Sequence, residues 1–510
     1  MRADASLQIG TGHVMRCLTL AEALRESGNE VSVISRDLPG NMIEQIEGRG
    51  IPVKRLPAPE GAPPTGSPAH AAWAGVAWEK DAGETRALLQ EIRPDWLVVD
   101  HYAFDERWEK AVREDGMRVM AVDDLADRLH DCDLLLDQNL GRDAADYKLL
   151  VPDHCKLLTG PRYALLRPEF AARRSESLAR RKDGQLEHIL VSMGGIDKDN
   201  VTARVLKILE DFELPAECQL TVVMGHNSPW FDEVSTLAAK SCLPTKLLRG
   251  VESMATLMSE ADLAIGGAGV STWERCAMGL PTVLVTMAEN QLLISREMVN
   301  EKAALNGGAG ENPTFAIDFR SAIEEILQPG KLEELQKRAV QLCDGDGVAR
   351  LMLEIVNGDM SFRDASLADS YRIWEWRQYP DRAKFNKSGD DPDFVEHHAW
   401  FTTALADPNR KFRIALIGLL PCGYLRVDRT SDEGAAISVC LAKDGRGKRL
   451  GKTLLEEGDR AARSMGVSTI NAEIHYQNKA SIRTFEAAGY GKTRYLGPFV
   501  QYVRNLKNSV

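Results

Sequence analysis

The chain has 510 residues, which at roughly 150 residues per domain predicts about three domains. Its 44% apolar and 27% charged residues are typical of a soluble globular protein and exclude a disordered chain or a bundle of membrane spans. The 63 basic and 75 acidic residues give a formal net charge of -12, so no global positive field attracts nucleic acid or anionic lipid. We therefore expect no nucleic-acid partner and no membrane partner.

Short runs rich in Val, Ile and Leu alternate with longer amphipathic stretches through the first two thirds of the chain. Such runs are typical of parallel strands that helices cover on both faces, so the sequence predicts two doubly wound α/β halves. We place the two domains at residues 1–165 and 166–357. The predicted strands are Val31–Ser35, Trp96–Val99, Val119–Val122, Leu134–Leu136, Ile189–Val191, Leu220–Met224, Leu263–Ile265 and Thr282–Val285.

Two connections interrupt this pattern. We expect the basic stretch from Leu165 to Gly184 to form the crossover between the halves. Five prolines from Pro57 to Pro68 exclude a helix or a central strand there and predict a long loop, either functional or mobile.

After Gly358 a helical stretch is followed by several strands, which predicts an α+β domain over residues 360–510. The predicted strands are Phe412–Ile417, Gly423–Val427 and Ala435–Leu441. The nine cysteines of the chain contain no Cys-x-x-Cys pair, and no charged-then-apolar leader is present. We expect a cytoplasmic protein without disulfides, and no metal site because the carboxylates near the glycine turns lack a partnered cluster.

A first candidate site lies near the N-terminus, where Gly10 and Gly12 form a turn that opens an apolar-periodic helix. Glycine has no Cβ, so backbone N–H groups there can approach a polar ligand closely. His13 lies in the first turn of this helix, where the positive end of the helix dipole disfavours the imidazolium and keeps the ring a neutral base. The alternative is a histidine that only caps the turn.

Two further glycine turns follow predicted strands in the second half, at the strand ends where open α/β sheets bind ligands. Ser271 or Thr272 could cap the helix after the second turn and present its N-terminus to a diphosphate, and Glu274 could accept hydrogen bonds from a ribose diol. Ordinary strand-to-helix turns are the alternative. The glycines are Gly194 and Gly195 in the first turn and Gly267 and Gly269 in the second.

These motifs, in this order, resemble the UDP-2,4-diacetamido-2,4,6-trideoxy-β-L-altropyranose hydrolases of pseudaminic acid biosynthesis, from residue 1 to about residue 355. The matching segments are Arg2–Cys17, Val99–Tyr102, Val122–Asp124, Tyr163–Arg167, Met193–Gly195 and Gly266–Glu274. The resemblance implies a GT-B architecture, in which two Rossmann-like domains face a cleft and a nucleotide sugar is hydrolysed with release of UDP. Only Met1 precedes the motif that in the family follows an apolar strand, so we expect a short or truncated first strand.

The same resemblance implies that His13 is the catalytic residue. A base at this position could deprotonate water for attack at the anomeric carbon, an effect typically worth about 10²–10⁴-fold in rate. The substrate-binding residues are then Gly10, Gly12, Arg16, Asp100, Tyr102, Gly194, Gly195, Gly267, Gly269, Ser271, Thr272 and Glu274.

The C-terminal domain contains a basic, glycine-containing turn after an apolar strand, Gly445–Gly451, which suits a pyrophosphate. With Asn478–Ser481 and Phe485–Tyr490 it resembles the GNAT acetyltransferases, which implies acetyl-CoA as co-substrate. The implied cofactor-binding residues are Arg446, Gly447, Lys448, Gly451 and Asn478.

Two residues depart from the GNAT pattern: Arg449 replaces the first glycine of the motif, and Phe485 replaces the tyrosine that protonates the leaving thiolate. Glu473 matches a catalytic base position of some members, whereas His475 is a weaker candidate that is equally well explained as structural. The acceptor side resembles amino-sugar acetyltransferases, although tryptophans at helical spacing are more often core. Its residues are Trp376, Arg377, Arg382, Glu396, His397 and Trp400.

Three functions fit the sequence. The first is a bifunctional enzyme of the pseudaminic acid pathway that N-acetylates a UDP-4-amino sugar and hydrolyses the diacetamido product, so its partners are a UDP-sugar and acetyl-CoA. The second is a GT-B glycosyltransferase whose acceptor is a hydroxyl group. The third is a hydrolase that carries a catalytically inactive GNAT module for binding or dimerisation.

Overall fold

The computed structural model describes residues 1–181, 184–226, 228–356, 358–378, 385 and 392–507. They form two compact units, Met1–Ala171 with Asp183–Leu351, and Ala172–Lys182 with Met352–Val510. The first unit contains both parallel sheets. The predicted domain boundary between residues 165 and 166, which separates the two sheets in sequence, stays a prediction. No helix in the described ranges is long and apolar enough to span a membrane.

The first sheet has seven parallel strands in the order β3-β2-β1-β4-β5-β6-β7. The strands are β1 Arg2–Ala3, β2 Val33–Arg36, β3 Val53–Leu56, β4 Trp96–Asp100, β5 Arg118–Val122, β6 Leu134–Asp137 and β7 Lys156–Thr159. The helices are α1 Gly12–Glu26, α2 Ile43–Gly48, α3 Trp78–Ile92, α4 Glu106–Val112, α5 Ala144–Tyr147 and α6 Pro168–Arg180.

The central strand β1 is only two residues long, as the sequence leads us to expect, and a buried ion network holds it in place. Arg2 pairs in register with Ile34 of β2 and Val99 of β4. Its guanidinium lies 2.6 Å from Asp4 and 2.8 Å from Asp81, and all three side chains are buried. Arg36 also lies 2.7 Å from Asp81, so two buried guanidinium groups face the two carboxylates. The strand is therefore fixed between its neighbours by side chains as well as by its ladder.

The second sheet has six parallel strands in the order β10-β9-β8-β11-β12-β13. The strands are β8 His188–Ser192, β9 Gln219–Met224, β10 Thr245–Arg249, β11 Leu263–Gly267, β12 Thr282–Thr286 and β13 Leu305–Ala309. The helices are α7 Val201–Leu209, α8 Phe231–Ala238, α9 Met254–Glu260, α10 Ser271–Ala277, α11 Leu292–Asn300, α12 Phe315–Ile326, α13 Lys331–Leu342 and α14 Gly347–Ile355. Its apolar strands are buried on both faces, as the Val- and Leu-rich runs predict.

The second unit is built on a mixed sheet in the order β14-β15-β16-β17-β18-β20-β19. The strands are β14 Met360–Asp364, β15 Arg410–Ile417, β16 Leu420–Arg429, β17 Gly434–Leu441, β18 Thr469–His475, β19 Gly491–Leu496 and β20 Phe499–Asn505. The helices are α15 Ser370–Arg377, α16 Phe394–Leu405, α17 Gly451–Ser464 and α18 Lys479–Ala487.

Strands β17 and β18 are parallel and pair over only three residues, from Gly434 opposite Thr469 to Ala436 opposite Asn471. Beyond that point β17 continues to pair with β16, and β18 continues with β20. The two strands therefore separate, and a wedge opens in the middle of the sheet.

Candidate functional site

A histidine and a buried carboxylate meet at the carboxyl end of the first sheet. His13 is the second residue of α1, and its Nδ1 lies 2.6 Å from Oδ1 of Asp100, the last residue of β4. Arg16, one turn further along α1, donates to both oxygens of Asp100 at 2.5 and 2.7 Å. Burial alone would raise the pKa of Asp100, but the charge of Arg16 and the hydrogen bonds from Arg16 and His13 hold it well below its usual range. With Asp100 ionised, Nδ1 of His13 donates to it and Nε2 is the ring's acceptor.

Aromatic side chains surround this histidine. Tyr102 approaches the His13 ring edge-on at 4.6 Å between centroids, and Trp73 stacks on Tyr102 at 5.5 Å. Trp73 lies in a short 3-10 helix, Ala71–Ala74, that follows the predicted proline-rich loop, so the segment after that loop contributes to the site. The Tyr102 hydroxyl donates to Asp124 Oδ2 at 2.7 Å, and Arg16 donates to the same oxygen at 2.6 Å.

A cavity of about 160 Å³ opens beside His13 and is lined from both parallel sheets. The first sheet contributes residues that follow β1, β4, β5 and β6, and the second contributes the loops after β11 and β12. The residues that line it are Ile9, Gly12, His13, Arg16, Tyr102, Asp124, Leu125, Gln138, Asn139, Ala268, Gly269, Val270, Asn290, Gln291 and Ile294. The cleft is therefore formed where the carboxyl ends of the strands of both sheets face each other.

The predicted glycine turns present open backbone. A Cβ added at Gly10, Gly12, Gly194 or Gly195 would meet no atom within 4 Å, so a ligand can approach the backbone there. Gly194 has a φ of 107°, which favours glycine. Gly267 ends β11, and Gly269 lies two residues further on in the cavity.

The expectation that Ser271 or Thr272 caps α10 is wrong. The N-cap is Val270, and both hydroxyl groups lie within the first turn, where they accept hydrogen bonds from Arg275 at 3.3 and 3.1 Å. The N–H groups at the start of α10 therefore have no side-chain cap. Glu274 lies half-buried in the same helix, and burial raises the pKa of its carboxyl group.

The second unit has its own cavity, of about 220 Å³, in the wedge between β17 and β18. Glu473 and His475 of β18 line it, together with Phe485 of α18. Asn478 also lines it and caps α18, since its Oδ1 accepts from the N–H of Ser481 at 3.1 Å. This capping hydrogen bond fixes the position of the Asn478 side chain at the start of α18.

The predicted pyrophosphate turn leads into the 14-residue helix α17, whose first N–H groups have no side-chain cap. Arg446, Gly447 and Lys448 are exposed, and Gly447 has a φ of 75°. A Cβ on Gly451 would lie 2.6 Å from Cγ2 of Thr484, so this glycine is also needed for packing of α17 against α18.

The residues predicted to bind the acceptor lie in different environments of the second unit. Trp376 packs in the apolar core of the unit, and burial lowers the pKa of His397 to about 4. Arg377 lines the wedge cavity, whereas Trp400 is 37% exposed. Glu396 lies in the first turn of α16, and Arg382 lies outside the described residues.

In comparison with known proteins, the models of two families match separate parts of the chain. Residues 188–336 match the model of the glycosyltransferase family 28 C-terminal domain, and residues 366–490 match that of the acetyltransferase (GNAT) family. MurG of Acinetobacter baumannii superimposes with a TM-score of 0.52 over 70% of this chain and 97% of its own, at 18% identity. The fold is a GT-B-like pair of Rossmann-like domains followed by a GNAT domain.

Relatives also match in sequence. A UDP-2,4-diacetamido-2,4,6-trideoxy-beta-L-altropyranose hydrolase of Campylobacter jejuni is 28% identical over 265 residues, which cover 52% of this chain and 82% of the hydrolase. An uncharacterized protein of Methanocaldococcus jannaschii is 23% identical over 507 residues and 96% of both chains. The predicted fold class and the two predicted resemblances are confirmed, and the second relative spans both units.

Sequence reasoning assigned no role to several residues of the cleft, among them Asp124, Gln138 and Asn139. Asp124 follows β5 and the other two follow β6, so a polar residue just after a buried parallel strand is the signal that could have identified them. In the described ranges, no group of three or more His, Cys, Asp or Glu side chains is arranged to hold a metal ion.

Replacing Asp137 with asparagine is expected to stabilise the protein at alkaline pH. Burial and the charge of Asp124 raise the pKa of Asp137 from 3.8 to about 7, so its ionisation costs folding free energy above about pH 4, and this cost grows until the pH passes 7. An asparagine keeps an acceptor for the N–H of Asn139, which lies 2.9 Å away. We expect a gain of about 1–2 kcal/mol at pH 8 and almost none at pH 4.

Thermal unfolding at the two pH values measures this difference, with Asp153→Asn as the exposed control. An equal effect of Asp137→Asn at both pH values would contradict the assignment of a raised pKa.

Replacing Arg449 with glycine is expected to stabilise the second unit by about 0.5–1 kcal/mol, because a side chain in the left-handed region is strained. Arg449 has a φ of 61°, in the left-handed region that glycine adopts without strain. Thermal unfolding should show a higher midpoint for this variant. Lys448→Gly, at an exposed neighbour outside the left-handed region, is the control and should lower it.

Proposed function

We propose that the chain is a bifunctional sugar-nucleotide enzyme. Its first unit hydrolyses a UDP-linked acetamido sugar, with UDP-2,4-diacetamido-2,4,6-trideoxy-β-L-altropyranose as the substrate, and its GNAT domain N-acetylates the 4-amino precursor with acetyl-CoA. The observation that carries the first activity is the contact of 2.6 Å between His13 and Asp100 beside a cavity lined from both sheets. The 28% identity to a hydrolase of that sugar and the match to the GNAT family support the pairing of the two reactions in the pseudaminic acid pathway.

Hydrolysis begins with a water molecule beside Nε2 of His13. The ring nitrogen takes a proton as the water oxygen bonds to the anomeric carbon, and the bond from that carbon to the diphosphate oxygen breaks with its electron pair on UDP. Asp100 is a positioning residue, because it fixes the ring tautomer and stabilises the imidazolium that forms. Arg16 neutralises the charge of Asp100 in the resting state.

The glycine turns of the second sheet bind the UDP moiety in this proposal. The open backbone at Gly194 and Gly195 and the uncapped N–H groups after Gly269 supply donors for the diphosphate, whose negative charge increases as the bond breaks. Glu274 accepts hydrogen bonds from the ribose hydroxyl groups. Gly10 and Gly12 keep the backbone near His13 accessible to the sugar.

Acetyl transfer takes place in the wedge between β17 and β18. The amine of the sugar attacks the thioester carbonyl of acetyl-CoA, the carbon–sulfur bond breaks, and Glu473 receives the proton of the amine directly or through water. Phe485 lines this cavity and has no hydroxyl group, so water protonates the departing thiolate. The turn that contains Arg446 and Lys448 binds the pyrophosphate of the coenzyme.

Two other functions have an observation in their favour. The match of residues 188–336 to a glycosyltransferase family favours transfer to a hydroxyl acceptor in place of water. The absence of a hydroxyl group at Phe485 favours an inactive GNAT module. Release of free sugar without an added acceptor excludes the first alternative, and release of coenzyme A with the amino sugar excludes the second.

The deciding experiment is NMR of the UDP-linked 4-amino sugar incubated with the full chain and acetyl-CoA. We expect the N-acetyl signal to appear first and then free diacetamido sugar and UDP to accumulate. Accumulation of the N-acetylated UDP-sugar alone would contradict the hydrolase assignment. Unchanged amino sugar, together with hydrolysis of synthetic diacetamido substrate, would contradict the acetyltransferase assignment.

A further inference from the structure

Two buried polar atoms in the hydrolase cleft lack a hydrogen-bond partner among the described residues, Asp124 Oδ1 and Gln138 Nε2. Both residues line the cavity beside His13. Gln138 is completely buried, and the Asp124 side chain is only 10% exposed. Buried polar atoms are almost always paired in folded proteins, so two of them at one cavity indicate groups that a ligand satisfies.

The other polar atom of each side chain already makes hydrogen bonds, so we can assign the unpaired atom as a donor or an acceptor. Gln138 Oε1 accepts from the N–H of Leu165 at 3.0 Å, so the free atom is the amide nitrogen, a donor. Asp124 Oδ2 accepts from Arg16 and from Tyr102, so the free atom Oδ1 is an acceptor. The cavity thus contains one unsatisfied donor and one unsatisfied acceptor.

A secondary amide is the group that matches this pair, because it carries one N–H donor and one carbonyl acceptor. We propose that Asp124 and Gln138 form a subsite for the N-acyl group at C4 of the UDP-linked sugar. Asp124 Oδ1 accepts from the N–H of that group, and Gln138 Nε2 donates to its carbonyl oxygen. This assignment rests on the proposed hydrolase function and adds a specificity determinant to it.

The subsite discriminates against a free amine. An ammonium group carries donors only, so it leaves Gln138 Nε2 buried without an acceptor. Its attraction to Asp124 is reduced because Arg16 already lies 2.6 Å from that carboxylate. The cleft therefore selects the N-acylated sugar, and an N-acylation reaction must supply its substrate.

The test compares two substrates in the full chain and in a Gln138→Glu variant. A glutamate keeps an acceptor for the Leu165 N–H but replaces the donor by a carboxylate oxygen, which repels a carbonyl and attracts an ammonium group. We measure kcat/KM for the UDP-diacetamido sugar and for its 4-amino precursor without acetyl-CoA. A site built to hydrogen-bond one group rejects analogues that lack it strongly, so the wild type should favour the diacetamido sugar by at least about 10²-fold.

Gln138→Glu should lower this preference at least 10-fold, whereas Gln45→Glu, the same change at an exposed position of α2, should leave it unchanged. If Gln138→Glu does not fold, Asp124→Asn provides the second variant, since its amide oxygen still accepts from Arg16 and its nitrogen repels the sugar N–H. It should lower the same ratio.

A preference that both folded variants retain would overturn the subsite, and so would equal hydrolysis of the two sugars by the wild type. Neither result affects the proposed hydrolase function, because UDP release continues. Failure of the wild type to hydrolyse either sugar would instead overturn the hydrolase function on which the subsite rests.

Discussion

Replacing His13 with asparagine is expected to lower the rate of UDP-sugar hydrolysis by at least about 10²-fold, the usual contribution of a general base. The asparagine amide can still donate to Asp100 Oδ1, as Nδ1 of the histidine does at 2.6 Å, so the buried carboxylate stays paired. It has no counterpart of Nε2 that could accept a proton from water. UDP release from the diacetamido sugar measures the rate, and calorimetry with UDP should give an unchanged affinity.

The control is His154→Asn, because the His154 side chain is exposed in the same unit. It should hydrolyse the sugar at the wild-type rate. Acetyl transfer by His13→Asn should also be unchanged, since that reaction uses the wedge of the second unit. Hydrolysis by His13→Asn near the wild-type rate would mean that His13 only stabilises the turn before α1.

The buried parallel strands could be predicted because their signal is local. Seven of the eight predicted runs in the first two sheets lie within an observed strand, such as Trp96–Val99 in β4, and the eighth, Val31–Ser35, overlaps β2. The strands that the sequence analysis missed include β3 and β10, which form sheet edges and carry Lys and Arg on partly exposed positions. An edge strand is not buried on both faces, so its sequence lacks the continuous apolar run.

The site could be predicted only in part, because its key contacts are long-range. The glycine turn and His13 were visible as a local motif. Asp100 was expected to bind substrate, but its carboxylate is buried and contacts His13, 87 residues away in sequence, and Arg16. The sequence pattern predicts that Asp100 lies at the end of a strand. Only the folded structure shows which side chains its carboxylate contacts.

In the C-terminal domain, the sequence does not predict the backbone conformation of the turn that contains Arg449. The family motif marks Arg449 as a departure from glycine, but the sequence does not show whether the backbone conformation also departs. The observed φ of 61° lies in the left-handed region that favours glycine, so this turn has a backbone conformation that a glycine could adopt without strain. The turn before α17 therefore still presents its N–H groups and adds a third basic side chain to Arg446 and Lys448.

Reversing two charges in that turn, with Arg446→Glu and Lys448→Glu together, is expected to weaken acetyl-CoA binding by about 10²-fold. Both side chains are exposed beside the uncapped start of α17, where positive charge and N–H donors would act together on a pyrophosphate. Calorimetry with acetyl-CoA measures the affinity. Because exposed charges are screened, the affinity of the wild type should fall with added salt, and that of the variant should change less.

The matched control is Lys492→Glu with Arg494→Glu, which makes the same charge change at exposed positions of the edge strand β19. It should bind acetyl-CoA within about 2-fold of the wild type, because it leaves the basic side chains of the turn unchanged and exposed charges elsewhere are screened by salt. Both double variants should hydrolyse the diacetamido UDP-sugar at the wild-type rate, since that cleft is lined by residues of the first unit. Equal loss of acetyl-CoA affinity in the two variants would mean that net charge alone attracts the coenzyme. Undiminished affinity in the first would remove the pyrophosphate site from this turn.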